Sequence, residues 1–178
     1  MIVDSPADPR DGHALGVYLD EITPRQLYPD TPFEVQFRVV NTGREPIDLP
    51  ISPDLADLQP DDSSVEFEYA SLALVVTVHA TGLNIPRTAY VEIYGSASHK
   101  ETMLSLAPGR WINVKARLKL ESWPIEGAEA KADGGFWLRR NTYQPQAGGS
   151  FKKMENLYPN ATATPSLEVQ LLPHTLSP

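Results

Sequence analysis

The clearest pattern in the chain is a strict alternation of apolar and polar residues over positions 33–41. The residues of one parity are apolar: Phe33, Val35, Phe37 and Val39. The residues between them are polar: Glu34, Gln36 and Arg38. Successive side chains of a strand point to opposite faces, so this segment predicts a strand with one face in a core and the other in water. The Asn-Thr-Gly that follows is typical of a turn.

Similar alternation recurs in short segments along the chain, separated by Pro- and Gly-containing turns. The predicted strands include 14–22, 33–41, 72–79, 89–94, 111–120 and 167–171. The segment 72–79 is apolar on both parities, which predicts a central strand covered on both faces. The segment 103–106 is expected to form a hairpin with 111–120 through the Pro108-Gly109 turn.

These patterns predict an all-β fold, an antiparallel two-sheet sandwich of about nine strands, which is favoured over a closed barrel. Ser52 and Pro53 suit the start of one short helix near 52–58. The expected organisation is an extended N-terminal arm (1–13), a single domain (14–172) and a C-terminal tail (173–178). A long Gly- and Ala-rich insert at 121–165 is expected within the domain, with only 136–139 resembling a strand.

Composition narrows the class of protein. The chain has 178 residues and no cysteine, which excludes a disulfide framework and a thiol nucleophile. Its 17 prolines are about twice the usual ~5% share and favour short elements. No apolar run approaches the ~20 residues of a membrane-spanning helix, so membrane insertion is not expected. The first residues carry no signal-peptide pattern, so the compartment is left open: exported or cell-surface if a leader was omitted, otherwise cytoplasmic.

The charge of the chain is acidic and unevenly distributed. The formal net charge is −8, and residues 1–62 contain 13 Asp and Glu against 4 Lys and Arg. The remaining 10 acidic and 11 basic residues nearly balance. An acidic first third repels phosphate backbones, so nucleic acid is not an expected partner.

The segment 33–120 resembles bacterial immunoglobulin-like domains of the adhesion-related type. The resemblance rests on the 33–43 strand with its Asn-Thr-Gly ending, on Pro46-Ile47-Asp48-Leu49-Pro50, and on Leu106-Ala107-Pro108-Gly109 before an alternating strand. The Asn-Thr and Pro-Gly turns are also similar to those of the intracellular proteinase inhibitor family, a weaker resemblance. Both resemblances imply a sandwich that acts by binding.

The search for catalytic chemistry finds little. The chain has no nucleophile elbow, no phosphate-binding Gly-rich loop and no metal-ligand spacing among its four histidines, so neither a cofactor nor a metal is expected. Glu66 and Glu68 share one face of a predicted strand, as a glycosidase pair could, but a polar outer face is the favoured interpretation.

Two groups of residues are candidates for binding. Lys115, Arg117 and Lys119 form a basic stripe beside Trp111, which could bind a polyanion or a carboxylated glycan, or could be a solvated face that deters edge pairing. Tyr90 and Tyr94 share one face and could stack on sugar rings, or could pack beneath a loop.

The favoured hypothesis is a non-catalytic immunoglobulin-like module that acts through contacts with a protein partner or by self-assembly through terminal arms at 1–13 and 161–178. The alternatives are a sandwich-type proteinase inhibitor that presents loop 80–87 or 95–101, and a carbohydrate-binding module. A glycan is therefore a further candidate partner.

Overall fold

The computed structural model describes residues 15–53, 67–96, 98–123, 128–148, 151–158 and 163–173. These residues form an all-β fold of eleven strands and one short 3-10 turn, Lys100–Thr102. The strands are β1 (Leu15–Thr23), β2 (Gln26–Leu27), β3 (Phe33–Asn41), β4 (Ile47–Pro50), β5 (Phe67–Ala80), β6 (Arg87–Gly95), β7 (Met103–Leu106), β8 (Trp111–Leu118), β9 (Ala128–Pro145), β10 (Phe151–Tyr158) and β11 (Ala163–Leu171).

The strands are arranged in three sheets, not in the two that the sequence predicts. Sheet A has the order β1-β3-β8, and sheet C is the pair β4-β7. Sheet B has the order β2-β11-β9-β5-β6, with β10 paired to β9. All pairs are antiparallel except β2 with β11.

One hydrophobic core lies between the inner faces of sheets A and B. Phe37 of β3 and Leu74 of β5 are both fully buried in it. The two sheets approach closely where β9 passes β1, because a Cβ at Gly134 would lie 2.9 Å from the Cβ of Leu19. The apolar parity of the 33–41 pattern therefore faces the core, as predicted.

The prediction of a central strand at 72–79 is confirmed. These residues belong to β5, which lies between β6 and β9. Neighbouring residues of opposite parity, Leu74 at 0% and Val75 at 5% exposure, are both buried.

The predicted hairpin between 103–106 and 111–120 was wrong. β7 pairs with β4, and β8 pairs with β3. Asn41 at the end of β3 explains the separation, since its Nδ2 donates to the carbonyl oxygen of Leu106 at 2.7 Å. Its backbone N–H donates to the carbonyl oxygen of Arg110 at 2.9 Å. These bonds fix the turn so that the chain passes from one sheet to another instead of folding back on itself.

The segment 121–165 differs from the expected insert because it supplies strands of sheet B. β9 spans 18 residues and pairs with β5 along most of its length. Its core-facing parity contains small residues (Ala130, Ala132, Gly134), which weakens the apolar signal that marks a strand. These strands, with the two-residue β2, raise the strand number above the expected nine.

The terminal predictions have mixed outcomes. The proposed arm 161–178 includes β11, which pairs with both β9 and β2 and is thus part of sheet B. The arm 1–13 and residues 174–178 lie outside the described residues. The short helix predicted near 52–58 also falls mostly outside them, and Ser52 forms an isolated bridge with Tyr94.

Candidate functional site

Five of the six predicted binding residues lie on two edge strands. Tyr90 and Tyr94 lie on β6, at one edge of sheet B, while Trp111, Lys115 and Arg117 lie on β8, at one edge of sheet A. Lys119 follows directly after β8. The two edges approach each other where residues 88–90 of β6 and 117–118 of β8 line one groove. We call this side of the molecule the open side and define it as residues 87–93 of β6 and 111–118 of β8.

This groove has a volume of about 400 Å³ and lies at the Arg117 end of the open side. Its lining includes Asp30, Thr88, Tyr90, Arg117, Lys119 and Glu121. The structure therefore brings together one predicted aromatic residue and two predicted cations that are far apart in the sequence. Lys115 lies outside this groove, in a second depression of about 430 Å³ on the outer face of sheet A, which Arg117 also lines.

Hydrogen bonds anchor both ends of β6. At one end, Nε of Arg87 donates to the carbonyl oxygen of Ser122 at 3.2 Å. At the other end, Ser52 and Tyr94 exchange backbone hydrogen bonds of 3.0 and 2.8 Å.

The free edge of β8 is the main chemical feature of the open side. Among the described strands, β8 pairs with β3 alone, through every residue from Trp111 to Leu118. In an antiparallel pair, half of the backbone N–H and C=O groups point away from the partner strand. Within the described residues, the outer edge of β8 therefore presents an unpaired row of donors and acceptors.

The core is also incompletely covered on this side. Of the inward-facing residues of β8, Leu118 is buried, but Ile112, Val114 and Ala116 are only partly buried. Val91 of β6 is likewise partly buried against the core. By contrast, Val35 of the neighbouring strand β3 is 2% exposed. Apolar area thus remains accessible beside the edge of β8.

The cations of the open side form no ion pair in the described part of the chain, although acidic residues such as Glu34 and Glu121 line the same depressions. An ion pair there joins Arg38 to Asp20 at 3.0 Å, and Nε2 of His79 lies 3.4 Å from a carboxylate oxygen of Asp133. Lys115, Arg117 and Lys119 are exposed and take part in neither pair. Arg117 forms no ion pair even though Glu34 stands directly opposite it on β3.

The predicted aromatic residues differ in exposure. Tyr90 is 61% and Trp111 56% exposed. Tyr94 is partly buried, since its ring lies 5.8 Å from that of Tyr69 and its hydroxyl donates to Oε2 of Glu92 at 3.0 Å. The two tyrosines therefore do not form one joint stacking surface.

Sequence reasoning missed two further features. The first is Ile85, which lies in the connection between β5 and β6 and is 68% exposed. Its sequence signal was an isoleucine among turn residues. The second is the partial burial of Ile112, Val114 and Ala116 on β8. It had no sequence signal, because an alternating pattern shows which residues face the core but not how completely they are buried.

A larger, polar groove of about 730 Å³ crosses sheet B and includes His79, Lys131, Glu129 and Glu168. Its charges are mixed, with Lys131 directly opposite Glu168. In the described residues, no group of three or more His, Asp or Glu side chains is arranged to hold a metal ion. Those residues also contain no helix of a length and hydropathy suited to crossing a membrane.

Comparison with known proteins gives no functional assignment. No protein-family model matches the chain, and no curated protein matches it significantly. A solved structure of Spo0M, a sporulation control protein from Bacillus subtilis, aligns with 10% identity and a TM-score of 0.33. The alignment covers 91% of this chain and 50% of that chain, so this chain spans about half the length of that structure.

Proposed function

We propose that the chain is an immunoglobulin-like β-sandwich that acts as a non-catalytic binding module, through protein–protein contacts on its open side. The observation that carries the proposal is the free edge of β8, whose cations Lys115 and Arg117 form no ion pair among the described residues. An unpaired strand edge is a template for another chain. Exposed Tyr90 and Trp111 add the aromatic area that protein interfaces favour.

Site-specific cross-linking in an extract of the source organism tests the proposal. A photoreactive residue replaces Asn113, which is exposed on β8, or Glu168, which is exposed on β11 of the other sheet. We expect a defined adduct from position 113 that disappears in the K115E/R117E double variant. The matched control Lys131→Glu, a charge reversal on sheet B, should retain the adduct. Equal adducts at both probe positions, or adducts that survive the double reversal, would contradict the proposal.

Self-assembly through the arm 1–13 remains a separate prediction. Light scattering during size-exclusion chromatography compares the full chain with a chain that lacks residues 1–13. An unchanged mass per particle would count against assembly through this arm.

A second candidate function is that of a sandwich-type proteinase inhibitor. It is favoured by Ile85, which is 68% exposed in a connection that begins with a turn from Ala80 to Leu83 (N–H to C=O, 3.1 Å). An exposed apolar side chain on an anchored loop is suited to enter a protease specificity pocket. Titration against a panel of proteases tests this function. Inhibition at micromolar concentration that is lost in Ile85→Asp would support it, and no inhibition would exclude it.

A further inference from the structure

We infer that the partner of the open side is an added β-strand, an extended segment of another polypeptide in which acidic and apolar residues alternate. This inference rests on the proposed function and names the chemistry of its partner. The added strand pairs with β8 and becomes a fourth strand of sheet A.

The backbone of β8 fixes the mode of binding. Its eight residues all pair with β3 and with no other described strand. A strand of eight residues is about 26 Å long at ~3.3 Å per residue, so the edge offers a continuous row of hydrogen-bonding groups. The unpaired part of the edge of β6 is shorter, because Tyr94 near its end already pairs with Ser52. Main-chain pairing of this kind is a recurring way to bind an extended peptide.

The partly buried residues of β8 determine the chemistry of the partner residues that face the core. Ile112, Val114 and Ala116 point inward from β8 but remain partly accessible. Residues directly opposite each other on paired strands share a face and contact each other. The inward residues of an added strand therefore lie beside this row, and apolar side chains there remove its remaining surface from water.

The basic residues of β8 determine the chemistry of the partner residues that face the solvent. Lys115 and Arg117 point outward from β8, and Lys119 follows the strand. The outward residues of an added strand stand directly across from them, where opposite charges stabilise and like charges destabilise the pair. Acidic residues are therefore favoured on this parity.

The same charges argue against a second copy of β8 as the partner. Antiparallel pairing of two β8 strands would place lysine and arginine side chains of one copy among those of the other. The open side is thus suited to a different, acidic strand.

Binding of synthetic peptides to the full chain tests the inference. The probe is an acetylated and amidated eight-residue peptide of alternating valine and glutamate. One control alternates valine and lysine, and another has four valines followed by four glutamates. We expect the alternating acidic peptide to bind at least about tenfold more tightly than either control, because only it satisfies both parities.

Two further measurements locate the binding. The acidic peptide should slow hydrogen exchange within 111–118 and leave exchange at 163–171 unchanged. The K115E/R117E variant should reverse the preference towards the valine–lysine peptide, while Lys131→Glu should keep the original order.

The outcomes separate this inference from the function on which it rests. If no alternating peptide binds, or all three bind equally without protecting 111–118, the strand inference is overturned. If the charge-sensitive adduct at position 113 is nevertheless obtained, the proposed protein-binding function survives that result. If that adduct is also absent, both fail.

Discussion

β1 and β8 are the two edge strands of the same sheet, but they differ in how completely their apolar faces are covered. On β1, the four inward residues Leu15, Val17, Leu19 and Ile22 are at most 6% exposed. On β8, the corresponding residues Ile112, Val114 and Ala116 are only partly buried. Both strands show the apolar–polar alternation, so the difference arises from what packs against each strand.

The chain itself covers the β1 side. After β1 it crosses to sheet B, where β2 pairs with β11, and Leu172 donates its N–H to the carbonyl oxygen of Leu27 at 2.8 Å. After β8 the chain also leads to sheet B, through buried Leu120 and Trp123 and on to β9. Leu118, which adjoins this connection, is 7% exposed, whereas Ile112, Val114 and Ala116 further along β8 are only partly buried. The open part of β8 is therefore the part that lies away from its connection to sheet B.

The largest expected effect compares truncations on the two edges. Leu19→Ala should lower the free energy of unfolding by about 2–5 kcal/mol, because Leu19 is 5% exposed and packs against β9. Ile112→Ala should cost only about 1 kcal/mol, since part of its side chain already contacts water. Urea unfolding of both variants measures the difference. Equal losses of free energy would show that Ile112 of β8 is packed as well as Leu19 of β1.

The second prediction concerns Asn41, which fixes the turn that leads into β8. It is fully buried, and its Nδ2 donates to the carbonyl oxygens of Leu106 and Glu45 at 2.7 and 2.8 Å. Asn41→Ala leaves these groups without their partner and should cost about 2–3 kcal/mol.

Hydrogen exchange shows where that loss occurs. We expect faster exchange in the segment from Leu106 to the start of β8 than in β1, because Asn41→Ala removes the side-chain hydrogen bond to the carbonyl oxygen of Leu106. A uniform increase in exchange across both edges would mean that Asn41 stabilises the fold as a whole and not this turn in particular.

The third prediction compares two adjacent glycines of β9. A Cβ at Gly134 would lie 2.9 Å from the Cβ and 3.1 Å from the backbone nitrogen of Leu19, so Gly134→Ala forces the sheets apart and should cost about 1–3 kcal/mol. A Cβ at Gly135 meets nothing within 4 Å. Gly135→Ala should therefore raise the free energy of unfolding by about 0.5 kcal/mol, because alanine has less conformational freedom in the unfolded chain. Urea unfolding with both variants in one buffer gives the sign of each effect, and a stabilising Gly134→Ala would contradict the close approach of β1 and β9.

The sequence was informative wherever alternation was strong. It located β1, β3 and β8 and the two-sided burial of β5, because large apolar residues on one or both parities report burial directly. It missed most of β9, where Ala130, Ala132 and Gly134 occupy core positions that require small side chains. Where the core is so tightly packed that a strand carries glycine and alanine at its buried positions, the hydrophobicity pattern no longer identifies that strand.

The candidate site was only partly predictable for a different reason. The basic stripe of β8 could be read from the sequence, but strand pairing is a long-range property. Nothing local indicates that β7 leaves for β4 and that β8 pairs with β3 alone. The same non-local pairing brings Tyr90 beside Arg117 and places Tyr94 against Tyr69.

The smallest expected effect compares charges on the outer face of sheet A. Towards β1, the guanidinium of Arg38 binds both carboxylate oxygens of Asp20, at 3.0 and 3.1 Å, and its carbon lies 4.8 Å from the centre of the Tyr18 ring. Both charged side chains are partly exposed, at 41% and 31%, so solvent screens their attraction. Arg38→Gln should lower the free energy of unfolding by no more than about 1 kcal/mol.

On the β8 half of this face, Lys115→Gln should change the free energy of unfolding by less than about 0.5 kcal/mol, because Lys115 has no ion pair to lose among the described residues. Raising the salt concentration should shrink the Arg38 effect and leave the Lys115 effect near zero. A loss from Lys115→Gln as large as that from Arg38→Gln would mean that this lysine already stabilises the folded chain. Lys115 would then be less available to pair with an acidic strand than we infer.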